Sequence, residues 1–150
     1  MSPHHLAYFN EVAGGPKGGV NWLVDSNLDW GQDLKRLQDY AERHGVESLR
    51  LLYFGTAEPS YYGLRYAPLT LADFQNLGDS EACRQYFGEK WAMSVTTYAS
   101  LLKYAPWLKK IQGREEARIG FSIFVFSPET LKSVLFPEVE MEARASLAPR

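Results

Sequence analysis

The chain has 150 residues, a formal net charge of −2 and a single cysteine. This length suits one domain with its own core, and one cysteine excludes an internal disulfide. The small net charge argues against nucleic acid as a partner, because phosphate binding requires clustered Lys and Arg.

The first 19 residues are interpreted as a segment outside the folded domain. Residues 5–10 are apolar and aromatic and begin without a helix cap. Such a segment either lies beside a membrane, where aromatic rings sit at headgroup level, or docks on the domain. Four glycines and a proline in 13–19 predict a loop. The folded domain is expected over 20–137, followed by a flexible, charged tail over 138–150.

The first part of the domain has the pattern of a βαβ unit. Residues 20–24 (Val-Asn-Trp-Leu-Val) predict a short strand, and from Gln32 the apolar residues recur with a helical period. Gly45 is placed to end this helix, and residues 49–54 predict a second strand. A right-handed crossover would make the two strands parallel.

The second part alternates in the same way. The pattern predicts one or two short helices within 69–87, a strand over 91–97, a helix over 98–110 interrupted at Pro106, a strand over 119–126, and a last helix starting at Ser127. The strand over 119–126 is almost continuously apolar, which is typical of a strand covered on both faces. We therefore expect an α/β fold: a three-layer, Rossmann-like domain with about four mainly parallel strands and helices on both faces.

The octapeptide at 25–32 (Asp-Ser-Asn-Leu-Asp-Trp-Gly-Gln) lies between the first strand and the first helix. Open α/β sheets place their binding groups at this kind of junction. Asp29 and Gln32 have the spacing of a capping box, which would be purely structural. The candidate ligand-binding residues here are Asp25, Asn27, Asp29, Trp30 and Gln32. Of these, Asp25, Asn27 and Trp30 are not explained by a cap. Carboxylates, a carboxamide and an indole suit sugar hydroxyls or, alternatively, a hard cation such as Ca²⁺; no metal site is assigned.

Aromatic residues and one carboxylate follow the second predicted strand. Tyr53, Glu58, Tyr61 and Tyr62 are the candidate ligand-binding residues here. An aromatic wall with polar groups at its rim is typical of a ligand cleft, and an aromatic mini-core under a loop is the alternative. Asp25 and Glu58, on adjacent strand ends, would be the acid/base pair of a glycoside hydrolase if the chain were a free-standing enzyme.

Several segments together resemble the C-terminal part of certain bacterial multi-pass membrane proteins. These proteins belong to the dolichyl-phosphate-mannose protein mannosyltransferase-like superfamily of GT-C glycosyltransferases. The resemblance is carried by residues 5–11, 13–16, 25–34, 53–55, 59–63, 93–94 and 119–123. It extends over most of residues 4–126, and the octapeptide is its most specific part.

The resemblance implies a soluble domain that follows the last transmembrane helix on the extracytoplasmic face of a bacterial membrane. In that superfamily a polyprenyl-phosphate sugar is the donor, and the catalytic acid lies in an early extracytoplasmic loop. No part of this chain corresponds to that loop, so the resemblance implies no catalytic residue and no cofactor here. The implied partners are the transmembrane region of the same parent protein and a glycan or polyprenyl-linked sugar, but not nucleic acid.

Three hypotheses follow. The leading one is a non-catalytic accessory domain of a membrane glycosyltransferase that contributes to acceptor or glycan binding. The second is a free-standing carbohydrate-active enzyme that uses Asp25, Asp29 and Glu58. The third is a module that only binds other proteins.

Overall fold

The computed structural model describes residues 32–70, 73–74 and 88–136. The predicted strand at 20–24, the octapeptide up to Gly31 and both chain ends lie outside the described residues. Most of the region expected to hold helices between 69 and 87 also lies outside them.

The first helix, α1, spans Gln32–Arg43, as its periodicity predicts. Leu34, Leu37 and Ala41 are buried along one face. The helix ends in a Schellman motif: the Val46 N–H donates to the Ala41 carbonyl at 2.8 Å, and Gly45 takes the left-handed conformation with φ +63°.

Five short strands form one mixed sheet. They are β1 (Leu49–Leu52), β2 (Tyr66–Pro68), β3 (Lys90–Ser94), β4 (Ala117–Ile119) and β5 (Ile123–Phe126). Their order is β2-β1-β3-β5-β4. β1 pairs in parallel with β2 and β3, whereas β5 pairs antiparallel with β3 and β4. Among the described strands, β1 to β4 therefore run in one direction and β5 runs in the other, so two of the four pairings are parallel and two are antiparallel. The sheet is mixed and has five strands, where the sequence predicts about four that are mainly parallel.

The remaining helical elements are short. They are a first 3-10 helix (Pro59–Tyr62), α2 (Val95–Leu101), a second 3-10 helix (Pro106–Ile111) and α3 (Pro128–Leu135). α3 begins as predicted, with the Ser127 side chain accepting from the Thr130 N–H at 3.2 Å and proline at the first turn. None of the helices in the described ranges is both long and apolar enough to cross a membrane.

Three predicted strands have different boundaries from those expected. The apolar run 119–126 is not one strand but the hairpin β4–β5, because Gly120 has φ +56° and turns the chain. The strand expected over 91–97 ends at Ser94, whose side chain caps α2 by accepting from the Thr97 N–H. The helix expected over 98–110 begins earlier, at Val95, and is split at Pro106 as predicted. The strand expected over 49–54 ends at Leu52.

Alternate residues of the strands contribute to two separate apolar clusters. Trp91 and Met93 pack with α2, the second 3-10 helix and α3, whereas Ala92 packs with α1. This follows from the pleat of a strand, because successive side chains point to opposite faces of the sheet. We call the cluster that contains Ala92 the α1 cluster, and the cluster that contains Trp91 and Met93 the α2–α3 cluster.

Candidate functional site

The carboxyl ends of β1 and β3 lie at one edge of the sheet, and several loops meet there. Leu52 of β1 is paired with Met93 of β3, so the chain after each strand leaves the sheet at the same edge. β5 runs in the opposite direction, and its first residue, Ile123, is paired with Ser94. The turn that precedes Ile123 therefore lies at this edge too. We call this region the carboxyl edge.

The N-terminus of α1 is also at the carboxyl edge. Asp33 in its first turn accepts hydrogen bonds from the turn between β4 and β5: from the Ser122 hydroxyl at 2.7 Å and the Phe121 N–H at 3.2 Å. The backbone of Gln32, the last residue of the octapeptide, begins this helix. Asp25, Asn27, Asp29 and Trp30 lie outside the described residues, as does the Gln32 side chain.

Four of the sequence-predicted site residues lie in one segment, residues 53–63, which we call the aromatic loop. Tyr53 and Tyr62 are partly buried against the α1 cluster. Tyr61 is 85% exposed and Phe54 is 48% exposed. Tyr61 and Tyr62 meet edge to face, with ring centroids 5.5 Å apart. Tyr53 and Tyr62 therefore fit the expected aromatic mini-core, whereas Phe54 and Tyr61 face solvent.

Glu58 holds the second half of the aromatic loop in shape. Its Oε1 accepts from the Ser60 hydroxyl at 2.9 Å, from the Ser60 N–H at 3.4 Å and from the Tyr66 hydroxyl at 3.2 Å. Glu58 is thus the cap of the first 3-10 helix, and Gly63 ends that helix in the left-handed conformation. The hydrogen bonds from Ser60, followed by that from Tyr66, lower the pKa of the Glu58 carboxyl below its usual value. The side chain is therefore ionised at neutral pH.

A buried carboxylate that the sequence reasoning missed lies beside the octapeptide. Asp33 is almost fully buried, and its charge is balanced by an ion pair with Arg36 in addition to its two hydrogen bonds to the turn. The turn leaves room for it only because Gly120 has no side chain: a Cβ there would overlap both carboxylate oxygens of Asp33. The N-terminus of α1 is thereby fixed against the β4–β5 turn.

Ser94 connects two other loops at the same edge. Its Oγ accepts from the Phe54 N–H at 3.1 Å and shares a 2.7 Å hydrogen bond with the Thr97 hydroxyl. The next residue, Val95, donates its N–H to the Ser122 carbonyl at 2.7 Å. Buried polar groups therefore connect α1, the β4–β5 turn, the β3–α2 junction and the aromatic loop. Two signals in the sequence could have revealed these contacts. One is the Ser-x-x-Thr cap pattern at 94–97, and the other is the interruption of the apolar run by Gly120 and Ser122.

The opposite edge of the sheet carries a second group of charged residues. Glu116 accepts from the Tyr40 hydroxyl at 2.9 Å and forms an ion pair with Lys90. Lys90 is the main cause of the lowered pKa of Glu116. Burial, helped by the hydrogen bond to Glu116, raises the pKa of Tyr40 to about 12.

Two cavities are lined by residues outside the aromatic loop. One of about 500 Å³ is lined by His44, Glu89 and Lys90, among others. One of about 200 Å³ lies between α2 and the β4–β5 hairpin, where Arg118 pairs with Glu115. Over the ranges that the structure describes, no three His, Cys, Asp or Glu side chains are grouped to hold a metal ion.

No protein-family model matches this sequence, and no curated protein or solved structure matches it significantly.

Proposed function

We propose that the chain is a non-catalytic carbohydrate-binding domain that takes up glycan or acceptor at the carboxyl edge. The observation that carries this proposal is the exposed Tyr61 ring, which is held on a 3-10 helix capped by the ionised Glu58. Following the resemblance of the sequence, the domain is an extracytoplasmic accessory part of a membrane glycosyltransferase that uses polyprenyl-phosphate sugars. Its fold would be a three-layer, Rossmann-like variant with one antiparallel strand.

The pairing of Tyr61 and Glu58 suits the chemistry of a sugar. A pyranose ring has an apolar C–H face and a rim of hydroxyl groups. The face of an aromatic ring carries negative charge density, which attracts C–H groups, and an ionised carboxylate accepts hydrogen bonds from hydroxyls. Ser60 and Tyr66 donate their hydrogen bonds to Oε1 of Glu58, and within the described residues Oε2 accepts none. One carboxylate oxygen of Glu58, in the same loop as Tyr61, is therefore left for a ligand.

The aromatic loop is also held before any ligand arrives. The Phe54 N–H is fixed by Ser94, and Glu58 and Gly63 fix the two ends of the first 3-10 helix. A loop that is already ordered loses little conformational entropy on binding, so more of the contact energy becomes affinity.

The electrostatics of Glu58 argue against a role as the proton donor of a glycoside hydrolase. A glycosidase acid must carry a proton near neutral pH, which requires a raised pKa. The pKa of Glu58 is lowered by its hydrogen bonds from Ser60 and Tyr66, and its side chain is exposed. Glu58 is therefore suited to accept hydrogen bonds from a ligand and unsuited to donate a proton.

The binding proposal is tested by titrating the 150-residue chain with a panel of neutral mannose- and glucose-containing oligosaccharides, followed by NMR and calorimetry. We expect saturable binding to at least one of them, and a loss of about 10-fold in affinity for Tyr61→Ala, since aromatic contacts are worth roughly 1 kcal/mol or more. Tyr104→Ala is the matched control, because Tyr104 is a comparably exposed tyrosine in the turn after α2.

Four outcomes would contradict the proposal. The whole panel could fail to produce saturable shifts, or the two tyrosine variants could lose affinity equally. Cleavage of an oligosaccharide that disappears in Glu58→Gln would instead support the carbohydrate-active enzyme. Capture of a protein ligand through Phe54 and Tyr61, with no sugar binding, would support the protein-interaction module. The extracytoplasmic location is tested separately, by protease accessibility of the domain in spheroplasts.

A further inference from the structure

A group of exposed cations lies on the α2–α3 side of the molecule. They follow α2 closely in sequence, and an exposed tyrosine lies among them; we call the set the basic turn: Lys103, Tyr104, Lys109, Lys110 and Arg114. The segment 103–114 contains no Asp or Glu and carries +4. Because the whole chain carries −2, the remainder carries −6. The segment is thus net positive in a chain whose remainder is net negative.

The second 3-10 helix determines how the basic turn faces solvent. Such a helix has three residues per turn, so residues three apart lie one above another. Ala105, Leu108 and Ile111 form the buried row. Lys109 and Lys110 are excluded from that row by this spacing, and both are exposed. The two ammonium groups therefore lie on the outer surface of the same short element.

Partly exposed apolar side chains accompany these cations. α3 packs against the second 3-10 helix, and four apolar residues remain partly exposed on the α2–α3 cluster: Leu102, Trp107, Leu135 and Phe136. Trp107 is stacked on Phe74, with ring centroids 6.0 Å apart. Tyr104 is 70% exposed, and the Lys103 ammonium lies 5.6 Å from its ring centroid. The surface thus combines cations, aromatic rings and apolar edges.

The charge of the basic turn is not balanced within the described part of the chain. None of its four cations forms an ion pair there, and the nearest acids in sequence are engaged elsewhere, Glu115 with Arg118 and Glu116 with Lys90. Clustered like charges repel one another, and an external anion relieves that repulsion.

We propose that the basic turn docks on an anionic phospholipid surface. Lysine and arginine near such a surface each gain about 1 kcal/mol from its negative potential, and tyrosine and tryptophan favour the headgroup level. A nucleic acid would use the cations but would leave the partly exposed Leu102 and Leu135 without an apolar partner. The lipid surface accounts for both parts of the patch. This inference is independent of the glycan proposal, since the two surfaces share no residue.

The test is co-sedimentation of the 150-residue chain with phosphatidylcholine vesicles that contain increasing fractions of phosphatidylglycerol. We expect binding only to the anionic vesicles, and weaker binding as salt rises. Lys109→Gln with Lys110→Gln should weaken it about 30-fold, at ~5-fold per lysine. Tyr104→Ala should weaken it further, whereas Tyr61→Ala should not.

The matched control is Lys35→Gln with Arg65→Gln, which removes the same charge from two exposed positions in α1 and before β2. It should change vesicle binding by less than about 2-fold if location matters. An equal loss in both double variants would reduce the effect to net charge and overturn the proposal. Equal binding to neutral vesicles would overturn it as well. Binding to duplex DNA but not to vesicles would assign the basic turn to a nucleic acid instead. Circular dichroism of each variant checks that it is folded.

Discussion

Gly120→Ala tests whether the close approach of Asp33 to the β4–β5 turn holds α1 in place. Gly120 has φ +56°, a conformation that costs a residue with a Cβ about 1–2 kcal/mol. The added methyl group would also overlap both oxygens of the buried Asp33 carboxylate. Moving that carboxylate lengthens its hydrogen bonds to the Ser122 hydroxyl and the Phe121 N–H.

The expected loss of stability has two parts. The backbone strain contributes about 1–2 kcal/mol, and one broken hydrogen bond to a buried charged group contributes about 1.5–3 kcal/mol. Gly120→Ala should therefore lower the free energy of unfolding by about 3–5 kcal/mol. Gly45→Ala is the matched control, because Gly45 has φ +63° and nothing within 4 Å of an added Cβ, so only the strain applies.

Urea denaturation of the two glycine variants measures the difference directly. If Gly120→Ala and Gly45→Ala lower the free energy of unfolding equally, the Asp33 carboxylate does not lie against the β4–β5 turn in solution. A double-mutant cycle gives an independent check: in an Asp33→Ala background, Gly120→Ala should cost only about 1–2 kcal/mol, since the obstructing oxygens are gone.

Two further variants test the polar contacts at each edge. Ser94→Ala removes the acceptor of the Phe54 N–H and the cap of α2, so it should cost about 1–2 kcal/mol and speed hydrogen exchange at Phe54. Ser127→Ala removes another helix cap, so it should cost about as much but leave hydrogen exchange at Phe54 unchanged. If both variants speed exchange at Phe54 equally, the hydrogen bond from Phe54 to Ser94 does not protect that amide. Glu116→Gln should cost at most about 1 kcal/mol at neutral pH, since the carboxylate is half exposed. The pKa of Glu116 is lowered by folding, so its stabilising contribution is complete above its unfolded value of 4.5 and disappears as pH falls through the folded value. The difference in free energy of unfolding between wild type and Glu116→Gln should therefore disappear at acid pH. A difference that grows at acid pH would show that folding does not lower the pKa of Glu116.

The helices were predictable because their signals are local. α1 combines a 3.6-residue apolar period with a terminal glycine, and α3 combines a serine cap with proline at the first turn. Pro106 interrupts the helical pattern wherever the segment lies in the fold, because its ring excludes a helical hydrogen bond. These elements need no information from distant residues.

The direction and ends of the strands depend on distant contacts and could not be predicted in the same way. The apolar run 119–126 fits a parallel strand or half a hairpin equally well. Gly120 decides for the hairpin, and the space beside it is taken by Asp33, 87 residues earlier. Residues 95–97 are β-branched and favour a strand, but Ser94 and the hydrogen bond from Val95 to Ser122 start a helix instead.

The sequence predicts a loop over 58–63 but not which of its two tyrosines is exposed. Tyr61 and Tyr62 are chemically identical neighbours, and sequence alone treats them alike. The first 3-10 helix packs against α1 and turns Tyr62 toward the α1 cluster, which leaves Tyr61 in solvent. Contact with α1, which is distant in sequence, therefore determines which of the two tyrosines is exposed.

Hydrogen bonds at the carboxyl edge connect four of the described segments on which the resemblance depends. Asp33 follows the octapeptide, the aromatic loop contains the 53–55 and 59–63 segments, Ser94 ends the 93–94 segment, and Ser122 lies within 119–123. They are far apart in sequence, yet hydrogen bonds connect Asp33 to Ser122, and Ser94 to the backbone of Phe54. Residues 59–63 continue the loop that leaves this edge after β1, and Glu58 in that loop accepts a hydrogen bond from Tyr66 of β2. The aromatic loop therefore extends from the hydrogen-bonded edge to the exposed Tyr61, which makes Tyr61 and Glu58 the first side chains to alter.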